Sequence, residues 1–387
     1  MRRQLAALWL CISICTFCSA DNWMASLPDD MLACRVSIPG THDSATGNGF
    51  DSGLINQLGT VYAQSQDLSL AEQWAAGVRA FDLRPATRDG YLQINHGIVA
   101  TSVLMEEALL LLRDSLIENP TEFVVVHMRH ESEGDEVDDV YESLLLELLA
   151  SSEIAEYLAD FSKDLTVGDL RGKILLTSRD TYADTPIGSF INGWTSNIDW
   201  SAQTSGKLVG KSSSATLYMQ DYYDTSDDGG VDLKIEAINT LLDATATHSG
   251  DDRFWVYNFA SAYSKTTSLF GYTLTLSDGY RDNATYTNAA IIEWAATHDP
   301  APMGIIMMDY AGIDTSDDYE TRGQELVDTI IAQNFKYLSS LAGVTSTAAT
   351  TTQVEQVYSL AGLPLKEPGE GINIVRYKDG TVKKTIR

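Results

Sequence analysis

Ser37-Ile38-Pro39-Gly40-Thr41-His42-Asp43-Ser44 is the stretch on which the reading of this chain turns. The residues before it, Ala33-Cys34-Arg35-Val36, read as the start of a short buried strand covering Cys34–Ile38. Pro39 and Gly40 are expected to stop that strand, because proline lacks the ladder N–H and glycine permits unusual backbone angles. A histidine and a carboxylate then follow side by side on a tight polar turn. Histidine has the side-chain pKa nearest neutrality, so it is the natural proton carrier. A lone His–Asp pair in a loop is more often structural than catalytic, and the rest of the chain has to decide.

Outward from this stretch, apolar β-branched runs alternate with amphipathic helical patterns. After Cys34–Ile38 come Val78–Leu83, Leu92–Ile94, Phe123–Met128, Ile174–Thr177, Leu217–Met219, Phe254–Phe259 and Gly304–Met308. Ser69-Leu70-Ala71-Glu72 is a capping box that opens one helix. A second helix is expected from near Ser102 to Asn119-Pro120. Only Arg88-Asp89-Gly90-Tyr91, a hairpin-like turn, separates the second run from the third. Eight runs, mostly with helical crossovers, predict an irregular (β/α)8 TIM-type barrel followed by a small C-terminal β-module. A doubly wound open sheet is the alternative, weakened by the lack of a glycine-rich phosphate fingerprint after the first run.

Several runs end in charge. Residues two apart on a strand share a face, which pairs Asp82 with Arg84 and His127 with Arg129 and Glu131. Thr177 goes with Arg179, Asp221 with Tyr223, and Met307 with Asp309 in the same way. Charge pointing inward at the C-terminal mouth of a barrel is where its active site belongs.

Arg2-Arg3, an apolar run from Leu5 to about Phe17 and the small pair Ser19-Ala20 read as a secretory leader over residues 1–20. A lipid anchor at Cys18 is the other possibility there, with Phe17 a poor neighbour for it. Loss of the leader removes Cys11, Cys15 and Cys18 and keeps only Cys34, so an ordinary core has to hold the mature chain. Formal net charge is −28. The leader and residues 353–387 each carry +2, so residues 21–352 carry −32. That balance argues against nucleic acid and against electrostatic attraction to anionic membranes. No later apolar run is long enough to span a bilayer.

Six motifs, in order and at matching spacing over about residues 23–340, resemble the bacterial phosphatidylinositol-specific phospholipase C (X-domain) family. They are Ser37–Ser44, Phe-Asp-Leu-Arg at 81–84, Asn-His-Gly at 95–97, Val-Gly-Asp-Leu-Arg-Gly-Lys-Ile at 167–174, Gln-Asp-Tyr-Tyr at 220–223 and Met-Asp-Tyr at 308–310. The resemblance implies a lyase that cleaves phosphatidylinositol at a membrane surface to diacylglycerol and a 1,2-cyclic inositol phosphate. It makes His42 the base, Asp309 its orienting partner, His96 the acid, Asp43 the carboxylate that keeps His96 protonated, and Arg84 the phosphate clamp held by Asp82. Such roles suit these residue types. An arginine in that place looks like the metal-independent type, so no metal and no cofactor are expected. The same match puts Arg129, Arg179, Asp221 and Tyr223 around the inositol headgroup, although Arg179 and Asp221 also read as an internal salt bridge.

His127 reads as a buried histidine in the barrel floor, and His130 stands where the family can have a lysine. His248 and His298 are given no role. Phe50, Leu54, Tyr263, Leu269 and Phe270 are the expected apolar rim. Residues 21–341 form the expected catalytic domain, 342–352 a linker and 353–387 a tail of short strands. The tail resembles C-terminal sorting domains of secreted Bacteroidota proteins, or is a β-module that packs on the barrel. The expected protein is a monomer, secreted or held at the cell surface. Glycosylphosphatidylinositol anchors or another phosphodiester are the alternative substrates, and a silent module that binds inositol lipids or glycans is the non-enzymatic alternative.

Overall fold

The computed structural model describes residues 20–53, 58–181, 188–196, 204–227, 230–247, 253–269, 272–347, 354–359, 364–365, 372–377 and 382–386. The leader through Ser19, the rim candidates Leu54 and Phe270, His248 and residues 348–352 lie outside them. The chain divides into two compact units, Met1–Phe335 and Lys336–Arg387.

In chain order the elements are β1 (Ile38–Thr41), α1 (Gly59–Tyr62), α2 (Leu70–Ala76), β2 (Ala80–Leu83), β3 (Pro85–Thr87), β4 (Leu92–His96), β5 (Val99–Leu104) and α3 (Met105–Glu118). Next come β6 (Val124–Met128), α4 (Tyr141–Leu149), α5 (Val167–Leu170), β7 (Ile174–Ser178), β8 (Ser189–Asn192), β9 (Thr204–Val209) and β10 (Ser214–Gln220). The chain continues with α6 (Gly230–Thr247), β11 (Phe254–Phe259), β12 (Thr266–Leu269), β13 (Tyr272–Thr275), α7 (Ser277–Thr297), β14 (Ile305–Met308) and α8 (Gly323–Thr347). A closed barrel runs in the order β1-β14-β11-β10-β9-β8-β7-β6-β2 and back to β1. Its pairings are parallel except for β9, which lies antiparallel to both β8 and β10. Strands such as β2, β6, β7, β11 and β14 are buried along their whole length, as expected for barrel staves covered by helices outside and side chains inside.

The expected first strand is displaced. Ala33–Arg35 is a 3-10 turn, and β1 starts at Ile38 and runs through Pro39 and Gly40. Ile38 and His42 donate their N–H groups to Gly304 and Met308, so they face β14. Pro39 falls on the other side, where pairing with β2 begins only at Gly40 opposite Ala80. Its missing N–H therefore precedes that ladder, and its carbonyl still accepts from the Arg79 N–H. Gly40 is there for space and not for a turn. A Cβ on it would lie 2.5 Å from Met307 Sδ and 2.9 Å from Ala80 Cβ.

Leu92–Ile94 also departs from expectation. It belongs to a separate antiparallel sheet, β3-β4-β5, that leaves the barrel after β2. The Arg88–Tyr91 turn does make the expected hairpin, with Gly90 at φ +84°. The barrel is completed instead by β8 and β9, whose short polar-flanked sequences gave no periodic signal. Ser102 lies in β5, and the helix expected from there starts at Met105. The Ser69 capping box forms as read, with the Ser69 N–H donating to Glu72 Oε2 at 2.9 Å. Arg79 and Glu122, both fully buried, pair at 3.0 Å beside the starts of β2 and β6.

In the second unit, β15 (Val354–Ser359), β16 (Pro364–Leu365), β17 (Ile372–Tyr377) and β18 (Val382–Ile386) form an antiparallel sheet in the order β16-β15-β17-β18. The backbone of residues 342–347, read as the start of a linker, continues α8. No proline interrupts it there, and alanine favours helix.

Gly40→Ala tests this packing. Overpacking at a closed strand contact should lower the unfolding free energy by about 1–3 kcal/mol, read as an earlier urea midpoint at unchanged slope. An unshifted midpoint would contradict the contact with Ala80.

Candidate active site

Strand register builds the first part of the site. Thr41 of β1 pairs with Met308 of β14, so the next residues, His42 and Asp309, emerge side by side at the C-terminal end of the barrel. His42 Nδ1 lies 2.9 Å from Asp309 Oδ1, and since a carboxylate only accepts, that nitrogen carries the proton. The turn after His42 is tight. Asp43 sits in the left-handed region at φ +43°, a conformation that aspartate tolerates better than most side chains. This twist points Asp43 back across the barrel mouth. Its Oδ2 lies 3.0 Å from His42 Nε2 and 3.5 Å from His96 Nε2, and its Oδ1 lies 3.1 Å from Arg84 Nε.

β2 supplies the cation. Arg84 Nη2 and Nε donate to Asp82 Oδ2 at 2.6 and 3.0 Å, which fixes the guanidinium between Asp82 and Asp43. Ser44 ties the two strands, accepting from the Asp82 N–H at 2.8 Å and donating to the Thr41 carbonyl. His42, Asp43 and Asp82 have donor atoms close enough to hold a cation, within 4.8 Å of one another. The guanidinium of Arg84 already pairs with both of those carboxylates.

His96 arrives from β4, outside the barrel. Its Nδ1 lies 2.7 Å from the Ala63 carbonyl, which can only accept, so this nitrogen is protonated and Nε2 faces the site. Beneath the histidines, Gln66 donates to the carbonyls of His42 and Met308, both at 2.9 Å, and accepts from the Ala311 N–H.

The remaining expected residues surround one cavity of about 290 Å³. His42, Arg84, His96, Arg129, Arg179, Asp221 and Tyr223 line it, while Asp43, Asp82 and Asp309 stand buried behind them. Arg179 and Asp221 are joined through Trp194, which sequence reading missed. The Arg179 guanidinium lies over the indole at 4.4 Å, and the indole N–H donates to Asp221 Oδ2 at 2.9 Å. Arg129 pairs with Glu131 at 2.6 Å, and the exposed Tyr223 ring leans on Tyr263. Tyr280 of α7 also lines the cavity, its hydroxyl 3.1 Å from His96 Nε2. Lys234 of α6 is fully buried and donates to Gln220 Oε1 at 3.0 Å and to the Tyr222 carbonyl, holding the strand end that carries Asp221. None of Gln66, Trp194, Lys234 and Tyr280 belongs to a motif. A lysine on an otherwise apolar helical face was the one legible hint.

Burial and charge set the protonation states. Burial alone would pull the His42 imidazolium down, but Asp43 and Asp309 overcome it and raise its pKa to about 10. Burial opposes ionisation of Asp43, yet Arg84, His96 and His42 hold its carboxyl well below the usual range. Asp309 is pushed up by burial, against the pull of His42. Burial brings Arg179 down to about 10 and Lys234 to about 7.

The other histidines are elsewhere. His127 is buried among Trp194, Tyr257 and Phe259, and burial takes its pKa to about 3, so it is neutral. His130 stacks on Tyr141 and pairs with Asp135 at 2.8 Å. His298 stacks on Trp294. Among the expected rim residues, Phe50 is half-buried with its ring over Gly59, and Tyr263 is half-buried in the cavity wall. The exposed apolar side chains near them are Leu58 and Val61 of the α1 segment.

Two histidines and a fixed guanidinium gathered on one carboxylate at the mouth of a (β/α) barrel place this protein among acid–base enzymes that act on anionic groups. Residues 36–180 match the family described as "Phosphatidylinositol-specific phospholipase C, X domain". The chain is 28% identical over 318 residues to a 1-phosphatidylinositol phosphodiesterase of Staphylococcus aureus (strain Newman), covering 80% of this chain and 94% of that one. A Listeria monocytogenes protein of the same name is 31% identical over 163 residues, 42% of this chain and 50% of that one. A crystal structure of Staphylococcus aureus phosphatidylinositol-specific phospholipase C carrying pentafluoro-phenylalanine superposes with a TM-score of 0.63 at 28% identity, covering 80% of this chain and 97% of that chain.

The elevated pKa of His42 has a measurable sign. A folded-state value of about 10 lies above the ordinary 6.5, so the charged ring stabilises the fold fully below pH 6.5. That contribution is lost as pH climbs through 10. The unfolding free energy of the wild type relative to His42→Gln should therefore fall between pH 6.5 and 10 in denaturant titrations. A difference that stays flat across the window would contradict the Asp43–His42–Asp309 arrangement.

Proposed function

We propose that this enzyme cleaves phosphatidylinositol, without a metal, to diacylglycerol and inositol 1,2-cyclic phosphate. The observation that carries the reading is the gathering of His42, His96 and Arg84 on the one carboxylate of Asp43, opening into one cavity with Arg129, Arg179, Asp221 and Tyr223. In the substrate-free enzyme Asp43 occupies His42 Nε2. An inositol 2-hydroxyl that takes this place leaves Asp43 to His96 and Arg84. Without that carboxylate His42 loses the larger of the two charges that kept it protonated, and Asp309 holds it in the tautomer whose Nε2 accepts the hydroxyl proton. The nucleophile is part of the substrate, so attack on phosphorus is intramolecular and little entropy remains to be lost.

Arg84 meets the phosphoryl oxygens with a planar, permanently charged group, which supports turnover without a cation. His96 supplies the proton for the diacylglycerol oxygen. Asp82 acts through Arg84. At the headgroup, Arg179 and Arg129 donate to ring hydroxyls, Asp221 accepts, and Tyr223 covers a face of the ring. Leu58 and Val61 supply apolar contact with the lipid surface. Among the described residues no helix is long and apolar enough to cross a membrane.

The chain acts outside the cell in this reading, exported by its leader as a monomer. The C-terminal sheet is the segment we assign to sorting or surface attachment.

Phosphorus NMR of the purified protein with phosphatidylinositol in detergent micelles and excess EDTA tests the chemistry. A cyclic phosphate signal is expected, and His42→Ala and His96→Ala should each slow its appearance by about 100-fold or more. Product only after calcium is restored would overturn the role of Arg84. No product in either condition would overturn the substrate.

A further inference from the structure

Proton delivery to the leaving oxygen poses a geometric problem that the two histidines do not solve alone. His96 Nδ1 is committed to the Ala63 carbonyl at 2.7 Å, so only Nε2 can give up a proton in the site. Nε2 faces the Tyr280 hydroxyl at 3.1 Å, with Asp43 Oδ2 further off at 3.5 Å. The phenol comes from α7, is 3% exposed, and lines the cavity together with His42 and His96. Its ring centroid lies 5.8 Å from each of those imidazoles, which are themselves 6.3 Å apart, so the three rings form a near-equilateral triangle. Thr275 is a further hydrogen-bond partner of the Tyr280 side chain, at the same cavity wall.

We propose that Tyr280 is a catalytic residue, the hydroxyl through which His96 delivers its proton to the leaving alcohol oxygen. As the phosphorus–oxygen bond breaks, the Tyr280 O–H proton moves to the departing oxygen and the His96 Nε2 proton moves to the Tyr280 oxygen. One proton leaves His96, one O–H bond forms on the alcohol, and the tyrosine ends unchanged. The neutral Nε2 then accepts a hydrogen bond from the same hydroxyl. Burial, followed by the charge of Asp43, holds the phenol well above its ordinary pKa, so it remains an O–H and does not become a phenolate. A tyrosine in this position conducts a proton without storing charge. The inference rests on the reading that the substrate is an inositol phosphodiester with an alcohol leaving group.

The test compares two leaving groups on the full-length protein. Diacylglycerol needs a proton to depart, whereas a nitrophenolate hardly does. Tyr280→Phe keeps the ring and should lower kcat on phosphatidylinositol by about 100-fold but on nitrophenyl inositol phosphate by less than about 10-fold, as His96→Ala should. Equal losses on both substrates, or no loss on either, would overturn the assignment. Site-specific 3-fluorotyrosine at 280 makes the hydroxyl more acidic and does not depend on the phenylalanine variant folding. It should change the ratio of the two rates, and an unchanged ratio would also overturn the assignment. Wild-type enzyme that turns over neither compound would instead bring down the substrate reading itself.

Discussion

The carboxylate of Asp43 is the point on which the barrel mouth depends. Its two oxygens meet His42, His96 and Arg84 within 3.0–3.5 Å, in a place almost closed to water. It can do so only because the residue adopts a left-handed backbone immediately after β1, a conformation that costs of order 1–2 kcal/mol for a residue with a Cβ. Neighbouring bonds hold the turn in that shape. Thr46 Oγ1 and Ser65 Oγ both reach the carbonyls of this turn, and Ser44 ties it to β2. Removing charge from such a site would leave the other buried groups unpaired, which is the costly case for buried ions.

This arrangement also explains an apparent conflict. In the proposed mechanism the general base has to be neutral, yet His42 is held charged by carboxylates on both of its nitrogens. The Asp43 contact, one of the two that raise its pKa, is the one a substrate hydroxyl would replace in that mechanism. On that proposal binding and activation of the base are one event, and the two histidines are kept apart in role by the movement of one carboxylate. Arg84 is fixed by Asp82, so in that mechanism the phosphate would meet a preorganised cation.

Much of this was legible in the sequence, for identifiable reasons. Parallel strands buried on both faces leave continuous apolar runs, and β2, β6, β7, β11 and β14 were found that way. Charged residues just past those runs pointed to the mouth. Pro39-Gly40 was misread because local chemistry favours a stop, whereas the barrel uses glycine for a close contact with Ala80 and Met307. Leu92–Ile94 looked like a stave because composition does not say which sheet a strand joins. Trp194, Gln66 and Tyr280 were invisible for another reason. Each meets a partner on another element of the chain, such as His96 and Tyr280, which are 184 residues apart. No local pattern records such pairings.

A crystal structure of the enzyme soaked with myo-inositol tests the central claim most directly, that the substrate replaces Asp43 at the base. The account expects one ring hydroxyl within hydrogen-bond distance of His42 Nε2, with Asp43 withdrawn to His96 and Arg84. It also expects Arg179 and Asp221 to engage the hydroxyls further round the ring. An inositol bound in the cavity with the 3.0 Å contact between Asp43 and His42 Nε2 still in place would contradict it.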